Sequence, residues 1–232
     1  MPLSKKLSGM KAESETQLTL YSYWRSSAAY RVRIALNLKG LSYQTIPVHL
    51  IKNGGEQLSD AYRVINPQGL VPVLLHQDHV LTQSLAICEY LDECFGQYPL
   101  LPADSLQRAR VRSLALQVAC EIHPINNLRV QKYLKDQCGD ALDTVEWMLH
   151  WMTEGFATIE QQLKNSGERH SGYYLDRPGL FECFLLPQVY NAERYGTDMS
   201  VFPEICRIVI QCRELPAFID AAPENQPDAV PV

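Results

Sequence analysis

The hydrophobic pattern of this chain changes character once, near Leu106, and that change constrains the fold more than any other feature. Before this point, short alternating runs typical of strands are interleaved with helical periods. After it, the strand patterns stop and long helical periods follow one another. The sequence therefore predicts an α/β domain followed by an all-α domain.

The first half of the chain predicts four strands and three helical stretches. The strands are predicted over residues 18–23, 43–48, 71–75 and 79–81, and the helical stretches over 31–39, 59–64 and from 83 through 91. The opening strand, helix and strand suggest a right-handed crossover between parallel neighbours. A hairpin and a helix follow, and the resulting βαβ-ββα order is that of a thioredoxin-like domain.

The second half predicts four helices, over residues 106–121, 141–164, 181–195 and 203–213. The dipeptide His123-Pro124 interrupts the continuation of the first, because proline lacks an amide donor and clashes with the preceding turn. We place the thioredoxin-like domain at 17–98, a linker at 99–105 and the all-helical domain at 106–221. Residues 1–16 are expected to form a flexible leader and the proline-rich end, 222–232, a flexible tail.

The composition argues against several classes of function. The formal net charge is −5, from 21 Lys plus Arg and 26 Asp plus Glu, which disfavours a nucleic-acid binder held by phosphate contacts. No uncharged run approaches the ~20 apolar residues of a membrane span, and the first residues lack the apolar stretch of a signal peptide. The seven cysteines form no C-x-x-C pair and no ligand spacing with histidine, so we expect reduced thiols in the cytoplasm and no metal site.

Two serines, Ser26 and Ser27, lie at the start of the first predicted helix. A helix N-terminus presents free amide groups and the positive end of the helix dipole, both of which stabilise an anion such as a thiolate. A hydroxyl group at this position can also donate a hydrogen bond to sulfur. The alternative is that one serine only caps the helix.

Two further features could bind a peptide group and a carboxylate. The Val71-Pro72 pair begins a hairpin strand and is a candidate for a cis peptide bond, which would turn the backbone groups of Val71 outward to pair with a peptide ligand. The Gln83-Ser84 pair opens a helix and suits the capture of a carboxylate. The alternatives are an ordinary proline at the start of a strand and an ordinary helix cap.

Several motifs together resemble a known family. The run YSYWRSSAAYRVRIAL, residues 21–36, resembles the signature of the zeta-class glutathione transferases, in which Ser-Ser-Cys precedes Arg-Val-Arg-Ile-Ala-Leu. Further matches are Asn66-Pro67, Val71-Pro72, the run QSLAI at 83–87 and the run PQVYNAER at 187–194. The resemblance covers residues 18–223 and implies a glutathione transferase-like architecture, a helical substrate domain and a homodimer.

Most members of this family are maleylacetoacetate isomerases of tyrosine and phenylalanine catabolism. The resemblance implies that glutathione adds to maleylacetoacetate, that the adduct rotates, and that elimination releases fumarylacetoacetate and unchanged glutathione. It assigns thiol activation to Ser26 with support from Ser27, glutathione binding to Val71, Gln83, Ser84, His123 and Asn127, and substrate binding to Arg25 and Arg194. The partner implied is a small maleyl diketo acid, with no nucleic acid and no membrane.

The sequence departs from the family pattern at two places. Ala28 replaces the cysteine of the motif, which puts in doubt any chemistry that uses the extra thiol but not the hydrogen bond from a serine. Many transferases carry Ser/Thr-x-x-Asp before a long helix of the second domain, where this chain has Gly179-Leu180-Phe181-Glu182. Glycine supplies no side-chain oxygen, so we expect a weaker helix start, by about 1 kcal/mol.

Three other functions remain open from the sequence. The nearest is maleylpyruvate isomerase, which shares the mechanism and resembles the chain at the run IHPINN, residues 122–127. The second is a zeta-like transferase or a dehalogenase acting on small α-halo acids. The third is a glutathione-binding module without catalysis, which retention of Ser26, Val71, Gln83 and Ser84 argues against.

Overall fold

The computed structural model describes residues 17–166 and 172–230, so the predicted leader over 1–16 lies outside the described residues. The chain divides into two compact units. The first comprises the described residues through Tyr98 together with those from Asp220 onward, and the second spans residues 99–219. Among the described helices, none combines the length and the apolar character that crossing a membrane requires.

The first unit contains the predicted βαβ-ββα succession. Its elements are β1 (Leu18–Ser22), α1 (Ser27–Leu38), β2 (Tyr43–Pro47), α2 (Asp60–Ile65), β3 (Val73–His76), β4 (His79–Thr82) and α3 (Ser84–Cys94). The sheet order is β2-β1-β3-β4, with β1 and β2 parallel and the other neighbouring pairs antiparallel. The thioredoxin-like prediction is therefore confirmed.

Helix α1 begins four residues before its predicted start. The hydrophobic period becomes regular only near Val32, whereas the helix itself starts at Ser27, where Ser26 caps it. The helix lies deep in the unit: Val32, Ile34 and Leu36 are fully buried, and so are two arginines, Arg31 and Arg33. Buried arginines are rare and require polar partners, which these two residues find at the candidate site.

All the regular secondary structure described in the second unit is helical. Its elements are α4 (Ser105–Leu116), α5 (Leu128–Cys138), α6 (Thr144–Asn165), α7 (Leu180–Tyr195), α8 (Pro203–Arg213) and the short α9 (Pro216–Ile219). The predicted helix over 106–121 is α-helical only as far as Leu116 and continues as a π-helical segment, Gln117–Ile122. Helix α5 was not predicted, and none of its residues is buried.

The apolar residues of α6 face the core only in part. Met148, Met152, Phe156, Ile159 and Leu163 are buried. Val145 and Trp151 remain 40% and 37% exposed. Gly155 lies among these residues, and a side chain there would collide with Ile122 of the π-helical segment.

The start of α7 is stabilised by groups other than a capping hydroxyl. The carboxylate of Glu182 accepts hydrogen bonds from the backbone amides of Gly179, at 2.8 Å, and Tyr174, at 2.9 Å. The amide of Leu180 donates to the carbonyl oxygen of Leu100 at 2.9 Å. A Cβ atom on Gly179 would lie 2.6 Å from that same oxygen, so the close approach of the linker, and not a missing cap, accounts for glycine at this position.

The C-terminal end differs from its prediction as a flexible tail. Residues 220–230 belong to the first unit, and Ala221, Ala222 and Pro223 are buried there. The tail expected over 222–232 is therefore wrong for residues 222–230, and residues 220 and 221 do not belong to the helical domain. A proline-rich composition does not prevent order where the backbone and side chains find fixed partners.

Candidate functional site

Ser26 lies between β1 and α1, at the end of a tight turn that we call the serine loop, residues 23–26. Its Oγ atom accepts a hydrogen bond from the amide of Ala29 at 3.2 Å, so Ser26 is the N-cap of α1. A hydroxyl group has two acceptor lone pairs and one donor proton, and capping uses only a lone pair. The capping and thiol-activating interpretations are therefore compatible, because the proton remains available for an anion at the helix mouth.

Ser27 and Ala28 occupy the first turn of α1 beside this hydroxyl. Ser27 is 8% exposed, whereas Ser26 and Ala28 are half-buried. Ala28 therefore places a methyl group, without a thiol, at the position of the motif cysteine. The hydrogen-bond donors at the helix mouth are therefore the hydroxyl groups of the two serines and the backbone amides of the first turn.

Arg33 fixes the backbone of the serine loop through hydrogen bonds. Its guanidinium group donates to Ser22 Oγ at 3.1 Å, to the Tyr23 carbonyl at 3.4 Å and to the Trp24 carbonyl at 3.0 Å. Burial lowers the pKa of Arg33 to about 10, which leaves it charged at neutral pH. The buried cation thus fixes consecutive peptide groups of the loop that leads into Ser26.

Val71 lies beside the same loop. The Val71-Pro72 peptide bond is cis, as the sequence suggested. The antiparallel ladder between β1 and β3 begins only at Val73, so Val71 precedes the paired part of the strand. Its side chain packs in one buried cluster with Tyr23 and Trp24, which brings the backbone of Val71 close to the serine loop.

Gln83 and Ser84 form the N-terminus of α3, but not with a serine cap. Gln83 holds the cap position with a left-handed φ of 69°, an uncommon conformation for a residue other than glycine, and its side chain makes no capping bond. Ser84 is buried, and its Oγ accepts a hydrogen bond from Arg31 Nη1 at 3.1 Å. The helix amides, the Ser84 hydroxyl proton and the buried cation of Arg31 together favour a carboxylate at this end of the helix.

Gln57 is a candidate that the sequence reasoning missed. Its side chain is 9% exposed, and Nε2 donates to the Leu50 carbonyl at 3.3 Å. In the described part of the chain, no hydrogen-bond partner reaches its Oε1 atom. A Cβ atom on Gly55 would lie 2.6 Å from Gln57 Nε2, and one on Gly69 would lie 3.1 Å from the Gln57 carbonyl. These two glycines, one on each side of Gln57 in sequence, were the available signal.

The second unit carries three of the predicted residues. His123 is half-buried and follows the π-helical segment directly; such segments are frequent at functional sites. Asn127 caps α5, since its Oδ1 atom accepts from the Arg129 amide at 3.1 Å. Arg194, in the last turn of α7, donates to Asn191 Oδ1 at 3.3 Å and lies over the ring of Tyr195 at 4.4 Å.

The predicted residues thus fall into groups within each unit. In the first, Ser26 ends the serine loop, Ser27 follows it, Val71 packs in the same cluster as the loop, and the Ser84 hydroxyl is hydrogen-bonded to Arg31 of α1. Arg25, the remaining predicted cation of that unit, lies over the indole of Trp24 at 4.7 Å within the loop itself. In the second, His123 and Asn127 flank one short 3-10 turn, Pro124–Asn126, whereas Arg194 lies on a different helix.

A thioredoxin-like unit followed by a helical unit is the architecture of a glutathione transferase. The family model described as "Glutathione S-transferase, N-terminal domain" matches residues 16–93. The chain belongs to the zeta class of glutathione transferases, the family that includes the maleylacetoacetate isomerases.

The similarity to individual members extends over both units. The chain is 49% identical over 214 residues to a probable maleylacetoacetate isomerase of Vibrio cholerae, covering 91% of this chain and 98% of that protein. It is 44% identical to a zeta-class bacterial maleylpyruvate isomerase solved in its holo form, with a TM-score of 0.87 and coverage of 91% and 100%. A maleylacetoacetate isomerase of Anaeromyxobacter dehalogenans, solved with glutathione in its active site, is 38% identical with a TM-score of 0.82 and coverage of 92% and 98%.

Proposed function

We propose that this protein is a glutathione-dependent cis–trans isomerase that converts maleylacetoacetate to fumarylacetoacetate. The observation that carries the proposal is the Ser26 hydroxyl at the mouth of α1, which accepts a hydrogen bond from the Ala29 amide and whose proton has no acceptor among the described residues. Relatives at 49% and 45% identity carry the name maleylacetoacetate isomerase, which supports this substrate over others. The activity belongs to tyrosine and phenylalanine catabolism, and we propose a cytoplasmic location.

The residues of the first unit fit glutathione as a cofactor. Bound glutathione supplies a thiolate that adds reversibly to the maleyl double bond and so permits rotation to the trans form. Ser26 donates its hydroxyl proton to the sulfur, and the N-terminus of α1 adds a positive potential, so both lower the pKa of the thiol. Ser27 supports this electrostatic environment.

The peptide portion of glutathione is assigned to the other groups of the first unit. The backbone of Val71 pairs with the cysteinyl residue, and the Ser84 hydroxyl with the amides at the start of α3 receives the γ-glutamyl carboxylate. The side-chain amide groups of Gln83 and Gln57 bind the polar ends of the tripeptide, and Gln57 Oε1 has no hydrogen-bond partner among the described residues. His123 and Asn127 are proposed as contributions from the helical unit.

Arg25 and Arg194 are proposed to hold the carboxylates of the substrate. A guanidinium group binds a carboxylate through two parallel hydrogen bonds and retains its charge at any physiological pH. Each of these arginines already lies over an aromatic ring, which limits the freedom of the side chain before a substrate arrives.

Maleylpyruvate isomerase is the second candidate function. It is favoured by the 44% identity to a maleylpyruvate isomerase of Ralstonia, which the chain covers over its whole length. The two substrates share the maleyl group and differ beyond it, so the chemistry at Ser26 is the same for both. A zeta-like transferase or dehalogenase activity on small α-halo acids would use the same thiolate.

The test compares isomerisation of maleylacetoacetate and of maleylpyruvate, followed by absorbance, with and without glutathione. We expect turnover only with glutathione, and a higher kcat/KM for maleylacetoacetate. A higher kcat/KM for maleylpyruvate would transfer the assignment to the second candidate. If neither substrate reacts while calorimetry shows glutathione binding, the protein is a conjugating transferase or a catalytically silent binding module, and conjugation of a small α-halo acid separates these two.

We also propose that the protein is a homodimer, as the family resemblance implies. Light scattering at micromolar concentration is expected to give about twice the chain mass of 26.4 kDa. A mass near that of one chain would contradict the proposal. The measurement is independent of the isomerase assignment, because it requires neither glutathione nor substrate.

A further inference from the structure

The described end of the chain, residues 220–230, lies against the serine loop; we call it the C-terminal segment. The amide of Trp24 donates a hydrogen bond to Asp228 Oδ2 at 3.0 Å, across 204 positions of sequence. Trp24 is only two residues before Ser26 and is 4% exposed. A side chain from the far end of the chain therefore fixes a peptide group in the loop that carries the proposed thiol-activating serine.

Arg33 provides a second connection between the same two parts of the chain. Its Nη2 atom donates to the Trp24 carbonyl at 3.0 Å, while its Nε atom donates to the Ala221 carbonyl at 2.9 Å. One buried guanidinium group thus bridges the loop and the C-terminal segment. The negative charge of Asp228 also favours the charged form of this arginine.

The C-terminal segment has an internal structure suited to this role. Gln226 Nε2 donates to the carbonyl groups of Asp220 at 2.9 Å and Ala222 at 2.8 Å, which closes the segment on itself. Ala229 then packs against the apolar cluster formed by Trp24 and Val71 with their neighbours. The contacts of the C-terminal segment therefore reach both the serine loop and the apolar cluster that contains Val71.

We propose that the C-terminal segment is a positioning element of the thiol-activating site and that Asp228 is its principal positioning residue. Asp228 sets the orientation of the Trp24 peptide group and, through it, the position of the Ser26 hydroxyl relative to the helix mouth. Hydrogen-bond donors at reactive sites must be held to within about 0.5 Å to act efficiently. The role of Ser26 in this inference rests on the proposed function, whereas the connection between segment and loop does not.

The first test needs no ligand. Asp228→Ala is compared with Glu224→Ala, which removes the same charge from an exposed position of the same segment. Hydrogen exchange of the backbone amides in residues 22–27 is expected to be about tenfold faster in Asp228→Ala than in the wild type, and unchanged in Glu224→Ala. Asp228→Asn keeps an oxygen acceptor for the Trp24 amide and is expected to restore most of the protection. Equal exchange in the wild type and Asp228→Ala would overturn the inference.

The second test uses glutathione and the intact wild-type chain. Saturation with glutathione is expected to slow exchange in residues 221–230 as well as in the serine loop, because coupling between two sites is reciprocal. Protection of the loop alone would overturn the inference, and this result does not depend on whether Asp228→Ala folds.

Asp228→Ala is also expected to lower kcat about tenfold and to raise the pKa of the bound thiol, with Asp228→Asn closer to the wild type. A wild type that binds no glutathione would refute the proposed function, while the ligand-free exchange experiment would still decide the structural connection.

Discussion

Ser26→Ala is expected to lower glutathione-dependent kcat/KM about 100-fold, the scale seen when one preorganised donor to a developing negative charge is removed. The substitution removes the hydroxyl proton that we assign to the thiolate, while the helix dipole and the backbone amides remain. The pKa of the bound thiol should rise in parallel, which titration of the thiolate absorbance measures directly. Ser26→Thr retains a hydroxyl group and should keep more activity than the alanine variant.

The loss of a helix cap must be separated from the loss of catalysis, because Ser26 also caps α1. Ser59→Ala is a matched control: Ser59 caps α2 in the same unit, and its Oγ accepts from the Tyr62 amide at 3.2 Å, the distance found at Ser26. Each variant should lose about 1 kcal/mol of stability from the missing cap. Only Ser26→Ala should lose turnover; a similar loss of turnover in both would show that the effect of Ser26 is structural.

Gly179→Ala is expected to destabilise the protein by about 3 kcal/mol, within the range for forcing atoms into a closely packed site. The added methyl group would meet the Leu100 carbonyl oxygen at 2.6 Å, and that oxygen is fixed by the Leu180 amide. Either the linker must move or the start of α7 must open, which would disturb the two backbone hydrogen bonds to Glu182. For a chain of this size the midpoint of thermal unfolding should fall by about 6–12 °C.

The appropriate control is Gly96→Ala, because a Cβ atom on Gly96 meets no atom within 4 Å. Replacing glycine by alanine at an unstrained site stabilises a protein slightly, by reducing the entropy of the unfolded chain. Gly179→Ser is informative as well, since it would create the side-chain oxygen of a capping box. If Gly179→Ser or Gly179→Ala proved as stable as the wild type, the close approach of Leu100 could not be the reason for glycine at this position.

The structural environments of Gly179 and Ser84 show why local sequence motifs gave only an incomplete interpretation of these two residues. From sequence, Gly179 meant a missing cap; in the structure the adjacent carbonyl belongs to Leu100, 79 residues earlier along the chain. From sequence, an ordinary helix cap was the alternative interpretation of Ser84. In the structure its hydroxyl accepts a hydrogen bond from Arg31, which lies on another helix. In both cases the decisive partner is distant in sequence, and no local pattern encodes its position.

The sequence by itself determined the βαβ-ββα order, the change to helices near Leu106 and the serines at the mouth of α1. These depend on hydrophobic period and on residue types that act on their immediate neighbours. Only the tertiary structure decided that Arg33 bridges the serine loop and Ala221, that Gln57 is buried with an oxygen that no described residue hydrogen-bonds, and that residues 222–230 are ordered. The physical reason is that hydrogen-bond satisfaction of buried groups is settled by the three-dimensional packing of distant segments, as Asp228 and Trp24 illustrate across 204 positions.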